Sequence, residues 1–291
     1  MISEELTLNS YAKLNVFLEV LKKREDGFHE LETIMLRTQF CDKMHFRARA
    51  DQLTLQISEL SRPASLANFP LDESNLILKA AEALRAHAHT NLGAEITIQK
   101  RIPAEAGLAG GSSNAATTLL ALNELWQLKL PTEELHSIAA TLGSDINFFV
   151  EDCRAAVCRG RGELVEPVAV SGSFYFVALR PATGNSTPAV FSQLTLPTVL
   201  ASSCDVLKAL ETGDVRQLDE TAFNRLTVPA SEVNSEMKCL MSDIAAMTGR
   251  RVHMSGSGST CFLIAKSERD AEDLVTLVGS SGYEVIGLLR V

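Results

Sequence analysis

The sequence predicts an α+β fold, and three observations lead to this expectation. Residues 14–20 alternate between apolar and mixed positions, which is typical of a β-strand. Residues 107–113 hold three glycines and two serines and run into an alanine- and leucine-rich segment, which indicates a loop that enters a helix. Near the C-terminus, the order helix, strand, strand, helix, strand is that of the second part of a split β-α-β layout. A chain of 291 residues can form one large or two medium domains.

Before the glycine-rich loop, the patterns predict several strands and one helix. Asp26-Gly27 is a hairpin-turn signal. Ser74 is predicted to cap a helix that runs to about His87, and a strand over residues 94–102 leads into the loop. Further strands are expected over residues 31–40, 44–48 and 53–57.

After the loop helix, acidic residues near Pro131 predict a second helix that ends before Gly143. The turn over residues 159–163 is a predicted point of transition to a second domain. Residues 174–179 form an apolar strand, and a short helix begins near Pro188. Further helices are expected over residues 205–210, 215–226, 231–247 and 267–279, and further strands over residues 251–254, 261–265 and 283–289.

The loop over residues 107–113 is a candidate phosphate-binding site. The first turn of a helix has unpaired N–H groups and a positive dipole end, and glycine lets backbone amides approach oxygens closely. Serine hydroxyls can add hydrogen bonds or help hold Mg²⁺. No Gly-Lys-Ser/Thr is present, so this is not a Walker A loop, and a purely structural glycine-rich turn is the alternative. Residues 254–260 are either a second anion cradle or a hairpin turn. Asp145, between a glycine turn and an apolar run, could be a simple helix cap.

The composition argues against several classes of function. A formal net charge of −9 argues against broad nucleic-acid binding, so an anionic ligand must be held by local features. No apolar run is long enough for a membrane span, and the acidic start is unlike a signal peptide, so a cytoplasmic protein without membrane association is expected. Six scattered cysteines without Cys-x-x-Cys predict buried reduced thiols and no protein-held metal site.

Three stretches, at residues 12–15, 107–113 and 254–260, together resemble the three motifs of the galactokinase, homoserine kinase, mevalonate kinase and phosphomevalonate kinase (GHMP kinase) superfamily. A narrower resemblance is to the 4-diphosphocytidyl-2-C-methyl-D-erythritol kinase family, and the Asp-Gly-aromatic-His segment at residues 26–29 is its most discriminating part. The segments that carry it are Lys13–Leu18, Arg24–Leu31, Ser74–Ile77, Gly110–Ala116 and Gly143–Asp145.

This resemblance implies a two-domain architecture. Residues 1–160 would form a nucleotide-binding domain like ribosomal protein S5 domain 2, and residues 161–291 a ferredoxin-like substrate domain. The implied reaction uses ATP and Mg²⁺ to phosphorylate the 2-hydroxyl of a cytidine-diphosphate-linked methylerythritol, in the methylerythritol phosphate route to isoprenoids. The implied protein is a monomer or weak homodimer that acts on a small molecule. Two alternatives stay open: a GHMP kinase for another small alcohol, such as homoserine or mevalonate, and a non-catalytic nucleotide-binding protein.

The resemblance also implies site residues. The catalytic pair would be Asp145, which accepts the proton of the attacking hydroxyl, and Lys13, which orients that carboxylate and favours its ionised form. Phe28 and Phe191 would lie on the two faces of the cytosine ring. The remaining substrate contacts would be Asn15, His29, Asn75 and Thr187. The ATP-binding residues would be Lys100, Pro103, Ala104, Glu105, Ala106, Gly107, Leu108, Ala109, Gly110, Gly111, Ser112 and Ser113.

Four positions depart from the family pattern without removing a catalytic group. Tyr11 and Asn147 stand where proline is usual, Phe28 where tyrosine is common, and Ala109 where glycine is common. Because a Cβ is disfavoured at positive φ, Ala109 is expected to have a negative φ.

Overall fold

The computed structural model describes residues 4–66 and 69–291, which form two compact units that interleave along the chain. Unit 1 comprises the described parts of Met1–Ala12, Phe40–Ala104 and Ala109–Asp152. Unit 2 comprises Lys13–Gln39, Glu105–Leu108 and Cys153–Val291. A domain boundary at residue 160 stays a prediction.

Two long strands, β1 (Glu5–Lys23) and β2 (His29–Arg49), each run from one unit into the other. The turn between them is the predicted hairpin, because Gly27 has a φ of 85° and the Arg24 N–H donates to Phe28 O at 2.8 Å. The two strands predicted over residues 31–40 and 44–48 are one continuous strand. Asp42, a poor strand former, is tolerated between them because its buried carboxylate accepts hydrogen bonds from neighbouring segments.

Unit 1 contains a sheet and four helices. The second half of β2 pairs antiparallel with β4 (Gly93–Gln99), and β4 pairs parallel with β3 (Leu53–Ile57). The core is apolar and includes Ile96, Ile98, Leu84, Leu119 and Ile138. The helices are α1 (Leu76–Ala88), α2 (Gly110–Leu125), α3 (Thr132–Leu142) and α4 (Ile146–Val150).

The prediction that Ser74 caps α1 is wrong, because the cap is the next residue, Asn75. The Asn75 Oδ1 accepts a hydrogen bond from the Ile77 N–H at 2.9 Å. The Ser74 hydroxyl donates instead to Asp72 Oδ1, which also accepts from the Ser74 N–H at 2.9 Å. An Asp-based turn therefore uses the hydroxyl that would otherwise cap the helix.

Unit 2 contains a four-stranded antiparallel sheet in the order β11-β7-β10-β9, which is the ferredoxin-like order 4-1-3-2. The strands are β7 (Tyr175–Arg180), β9 (His253–Met254), β10 (Cys261–Ala265) and β11 (Glu284–Arg290). Elsewhere in the unit, the first half of β2 pairs with β5 (Ala155–Gly160), β5 pairs with β6 (Leu164–Pro167), and β8 (Phe223–Asn224) pairs parallel with β1. The helices are α5 (Thr187–Ser192), α6 (Cys204–Thr212), α7 (Val215–Thr221), α8 (Thr227–Val233), α9 (Ser235–Thr248) and α10 (Glu268–Val278).

Two helix predictions in unit 2 were too long. The helix expected over residues 215–226 ends at Thr221, because Phe223 and Asn224 pair with β1. The helix expected from residue 231 is interrupted at Asn234, whose side chain accepts from the Met237 N–H at 3.0 Å and starts α9.

The cysteine prediction holds only in part. All six cysteines are reduced thiols, but Cys41 and Cys153 are only partly buried, and Cys204 and Cys239 are exposed. Across residues 4–66 and 69–291, no helix combines the length and apolarity that a membrane crossing requires.

A buried carboxylate in β1, Glu19, joins this strand to the segment after β8. The Arg225 side chain donates from Nε to Glu19 Oε1 at 2.8 Å and from Nη2 to Oε2 at 2.6 Å, and the Ala201 N–H donates at 2.7 Å. Burial works to raise the pKa of Glu19, but the hydrogen bonds from Arg225 and the backbone outweigh it and place the pKa below its ordinary value.

Glu19→Gln is expected to lower the free energy of unfolding at pH 7 by about 2 kcal/mol, because the charge-assisted hydrogen bonds are weakened. A lowered folded-state pKa stabilises the fold above the ordinary glutamate pKa of about 4.3, and this stabilisation is lost as the pH falls through the folded value. The difference between wild type and variant should therefore shrink on acidification. Urea unfolding at pH 7 and pH 3 measures it, and a difference that stays constant would refute the linkage.

Candidate active site

The three sequence motifs meet around the buried ammonium group of Lys13 in unit 2. Lys13, which is 3% exposed, donates from Nζ to Gly107 O at 2.9 Å and to Asn15 Oδ1. Its backbone N–H donates to Leu108 O at 3.1 Å. Ser255 Oγ donates to the same Gly107 O at 2.9 Å and accepts from the Asn15 N–H at 3.2 Å. Residues from all three motifs therefore take part in a single hydrogen-bond network.

Glycine is required at two positions of this network. Gly256 has a φ of 60°, and a Cβ there would lie 3.2 Å from Lys13 Nζ and 3.3 Å from Asn15 Oδ1. Gly107 has a φ of 73°, and a Cβ there would lie 2.9 Å from Gly258 O and closer still to Ser255 O. The absent side chains let the two loops approach each other and Lys13.

The N-terminus of α2 in unit 1 is open to an anion. The N–H groups of Gly110, Gly111 and Ser112 have no acceptor within the helix, as in the first turn of any helix. Ala109 supplies no side-chain cap, and the first turn has no acidic residue to neutralise the dipole. The Ser113 hydroxyl is buried and accepts from Ser10 Oγ at 2.8 Å, whereas Ser112 is partly exposed.

The expectation of a negative φ at Ala109 is wrong. Ala109 has a φ of 54° and a ψ of 32°, in the left-handed region that costs a residue with a Cβ roughly 1–2 kcal/mol. Its carbonyl oxygen still accepts from the Ser113 N–H at 2.9 Å, so the helix begins normally after it. The loop therefore keeps the backbone conformation that suits glycine, with alanine in its place.

Asp42 is a residue that the sequence reasoning missed. This fully buried carboxylate accepts hydrogen bonds from Lys100 Nζ at 2.6 Å and from the backbone N–H groups of Arg101 at 2.6 Å and Ile102 at 2.8 Å. It also accepts from Asn114 Nδ2, on α2, at 2.9 Å. Asp42 therefore links the segment that enters the glycine-rich loop to the helix that leaves it. The feature of the sequence that could have pointed to Asp42 is the presence of an acidic residue within an apolar strand.

Lys100 is held by this network. Lys100 is 2% exposed, and its ammonium group donates to Asp42 and to Ile102 O at 2.7 Å. Burial lowers the pKa of Lys100 below its ordinary value, and Asp42 works in the opposite direction. A Cβ on Gly110 would lie 3.1 Å from Lys100 Nζ, so the lysine packs directly beneath the first turn of α2. Its predicted position near adenine stays a prediction.

The remainder of the predicted ATP loop is divided between the units. Pro103 is buried and Ala104 is half-buried in unit 1, whereas Glu105, in unit 2, is exposed with a φ of 51°. The Ala106 carbonyl accepts from the Thr260 N–H at 3.1 Å, which adds a second contact between the glycine-rich loop and the third motif.

Asp145 immediately precedes the short helix α4, but its side chain makes no capping hydrogen bond. It is half-buried. The alternative in which Asp145 serves only as a helix cap is therefore not supported.

Three of the predicted substrate residues in unit 2 have aromatic rings with described contacts. The rings of His29 and Phe191 are stacked, with centroids 4.9 Å apart and an interplanar angle of 26°. Phe28 is 52% exposed, and the Arg161 guanidinium lies 5.1 Å from its ring centroid. Burial, and secondarily Lys23, lowers the pKa of His29, which favours the neutral ring.

The other predicted substrate residues have structural partners. Asn15 Nδ2 donates to Thr33 Oγ1 at 2.8 Å, and the hydroxyls of Thr187 and Ser257 lie 2.7 Å apart, which places Thr187 beside the third motif. Asn75 is buried in unit 1, where it caps α1 and donates to Pro70 O at 2.6 Å. Their substrate contacts stay predictions.

Comparison with known proteins identifies the family. The family described as GHMP kinases N terminal domain matches residues 75–152, and GHMP kinases C terminal matches residues 206–283. The 4-diphosphocytidyl-2-C-methyl-D-erythritol kinase of Shouchella clausii (strain KSM-K16) is 36% identical over 264 residues, which cover 90% of this chain and 86% of that protein. The chain belongs to the 4-diphosphocytidyl-2-C-methyl-D-erythritol kinase family. The predicted family, two-domain α+β fold and enzyme class, a kinase, are thereby confirmed. As a GHMP kinase, it uses ATP as a substrate.

Solved structures agree with this family membership. A crystal structure of 4-(cytidine 5'-diphospho)-2C-methyl-D-erythritol kinase matches with a TM-score of 0.79 and 30% identity, over 98% of this chain and 99% of that one. Homoserine kinase from Cytophaga hutchinsonii matches with a TM-score of 0.72 but only 14% identity, over 100% of this chain and 95% of that one. The second match shows a shared fold and nothing about the acceptor.

Proposed function

We propose that the protein transfers the γ-phosphoryl group of ATP to the 2-hydroxyl of 4-diphosphocytidyl-2-C-methyl-D-erythritol, yielding the 2-phosphate and ADP. This reaction belongs to the methylerythritol phosphate route to isoprenoid precursors. The observation that carries the proposal is the network of Lys13, Asn15, Gly107 and Ser255, which joins all three superfamily motifs. The presence of both Lys13 and Asp145 favours a kinase over a protein that only binds nucleotide, because ATP binding alone would not need them.

Phosphoryl transfer needs positioning and charge stabilisation more than covalent catalysis. The open N–H groups at the start of α2 bind phosphate oxygens and stabilise the charge that develops on them. Asp145 accepts the proton of the 2-hydroxyl as its oxygen bonds to the γ-phosphorus, while the bond to the ADP oxygen breaks. Lys13, whose ammonium is fixed by Gly107 O and Asn15, is the second proposed catalytic residue.

Mg²⁺ accompanies ATP in this proposal. Within the described part of the chain, no cluster of three or more His, Cys, Asp or Glu side chains could hold a metal ion. This suits Mg²⁺ that is bound mainly by phosphate oxygens and water, with one or two protein oxygens. The partly exposed Ser112 hydroxyl is a side chain that would supply one of them. Bound Mg²⁺ would neutralise phosphate charge.

Phe191→Ala is expected to raise the KM for the cytidylated acceptor about tenfold and to change the KM for ATP less than twofold. The variant removes an aromatic ring proposed to stack on cytosine, and stacking on a base contributes about 1–3 kcal/mol. It also removes the ring that stacks on His29. Steady-state kinetics with each substrate varied measures both constants. Phe191→Tyr keeps the ring and serves as the control; an unchanged acceptor KM in Phe191→Ala would contradict the role.

The experiment that tests the proposed function is ADP release in a coupled assay with Mg²⁺ and ATP, using three acceptors in parallel. Turnover only with 4-diphosphocytidyl-2-C-methyl-D-erythritol supports the proposal. Turnover only with homoserine or mevalonate would leave a GHMP kinase but exclude the proposed roles of Phe28, His29 and Phe191. ATP binding without turnover of any acceptor would favour a non-catalytic binder.

A further inference from the structure

Asn224 braces the third motif through two hydrogen bonds from one side-chain amide. Its Nδ2 donates to Met254 O at 2.9 Å and to Gly256 O at 2.8 Å. The two acceptors lie on either side of Ser255, the residue whose hydroxyl binds Gly107 O. Asn224 is thus bonded to the backbone of the loop at the point where that loop meets the Lys13 network.

The backbone of Asn224 is fixed to the strand that carries Lys13 and Asn15. Asn224 pairs with Leu18 in the parallel β1–β8 register, and the next N–H, that of Arg225, donates to Leu18 O at 2.8 Å. The Arg225 side chain binds the buried Glu19 carboxylate. The backbone of Asn224 is therefore anchored on β1, and the side chain of Asn224 holds the loop over residues 254–256.

The loop has little freedom to move without disturbing Lys13. A Cβ on Gly256 would lie only 3.2 Å from Lys13 Nζ and 3.3 Å from Asn15 Oδ1, so the loop backbone packs directly against both side chains. A displacement of this backbone toward the two side chains would therefore press on the ammonium group and on its hydrogen-bond partner Asn15.

We infer that Asn224 is a positioning residue for the kinase reaction: it sets the distance between the third motif and the Lys13–Asn15 pair and so fixes the position of the Lys13 ammonium group. This inference rests on the proposed function for its effect on turnover. Asn224 acts through Gly256 and Lys13. The same side chain has a second, local role, because its Oδ1 accepts from the Leu226 N–H at 2.9 Å and closes the turn that follows Asn224.

Asn224→Asp separates these two roles. Aspartate has nearly the same shape and keeps the oxygen that accepts from the Leu226 N–H, but it replaces the donating NH₂ with an oxygen that faces two carbonyl groups. The matched control is Asn123→Asp in unit 1, because Asn123 Nδ2 donates to Leu130 O at 3.0 Å and its Oδ1 accepts from the Leu130 N–H at 2.9 Å. Each variant loses a side-chain NH₂ group that donates to backbone carbonyl oxygen. The site of Asn224 adjoins Lys13, whereas the site of Asn123 does not.

The two full-length variants and the wild type are compared by kcat, by the KM for ATP, by Tm and by hydrogen–deuterium exchange of residues 254–260. We expect Asn224→Asp to lower kcat by about ten- to a hundredfold, the range that a small misplacement of a reacting group produces, with a change below twofold in the KM for ATP. Exchange over residues 254–260 should accelerate in Asn224→Asp and remain unchanged in Asn123→Asp, whose kcat should stay at the wild-type level.

Three results would overturn the inference: a wild-type kcat in folded Asn224→Asp, a kcat loss of similar size in Asn123→Asp, or unchanged exchange over residues 254–260. A lower Tm with normal kcat would show a purely structural asparagine. If the wild type itself fails to phosphorylate the cytidylated acceptor, the proposed function fails, whereas the exchange comparison still decides whether Asn224 positions the loop.

Discussion

Asp145→Asn is expected to lower kcat by about a thousandfold or more while the protein remains folded. A general base contributes roughly 10²–10⁴ to the rate, and an amide cannot accept the proton of the attacking hydroxyl as a carboxylate does. The substitution preserves shape, and α4 does not depend on a capping hydrogen bond from this side chain. Coupled measurement of ADP release gives kcat, and thermal unfolding gives Tm.

The control for this prediction is an aspartate that does cap a helix. Asp214 Oδ1 accepts from the Gln217 N–H at 2.9 Å at the start of α7. Asp214→Ala should lower the free energy of unfolding by about 1 kcal/mol and leave kcat unchanged. If Asp145→Asn instead retained kcat within tenfold of the wild type, Asp145 would not be the base.

Asp42→Asn is expected to lower the free energy of unfolding by about 3–5 kcal/mol, the usual cost of leaving one member of a buried ion pair without its partner. Asparagine keeps an oxygen for the Arg101 and Ile102 N–H groups, but it leaves the ammonium of Lys100 buried without a counter-charge. Urea unfolding at pH 7 measures the loss.

A double variant provides the decisive comparison. Asp42→Asn combined with Lys100→Met removes the buried charge while it keeps a side chain of similar length, so it should be more stable than Asp42→Asn alone. If the losses of the two single variants simply add, the pair is not coupled and the explanation is wrong. Because Asp42 also holds Asn114 on α2, both variants are expected to raise the KM for ATP.

Local patterns predicted the elements whose formation depends on local sequence. The hairpin at Asp26-Gly27, the glycine-rich entry into α2 and the ferredoxin-like order near the C-terminus follow from turn chemistry and hydrophobic periodicity. The incorrect predictions lie where a contact with another segment determines the local structure. Phe223 and Asn224 leave a helical pattern because β1 is available for pairing, and the Ser74 hydroxyl goes to Asp72 instead of to α1.

The motif residues of the site were predictable from the sequence, but the residues that hold those motifs in place were not. The resemblance supplied Lys13, Asn15 and the glycine positions, and the structure brings these together. Asp42 binds Lys100, 58 residues away in sequence, and Asn224 binds Met254, 30 residues away. Nothing in the local pattern of Asp42 or Asn224 identifies its partner. The positive φ of Ala109 was unpredictable for a related reason: the loop, not the residue, sets the backbone conformation there.

The interleaving of the two units has a consequence for how the protein is made. Every segment of unit 1 has been synthesised once the ribosome has passed Asp152, whereas unit 2 combines Lys13–Gln39 with Cys153–Val291. The N-terminal strand segment therefore cannot form its contacts until its partners are synthesised. Phe223 pairs with Phe17 from 206 residues later in the chain, and Ser255 binds Asn15 from 240 residues later. A nascent chain of 152 residues already holds the glycine-rich loop, but Ser255 and Gly256 have not yet been translated, so the Lys13 network, and with it the proposed phosphoryl transfer, waits for nearly the whole chain.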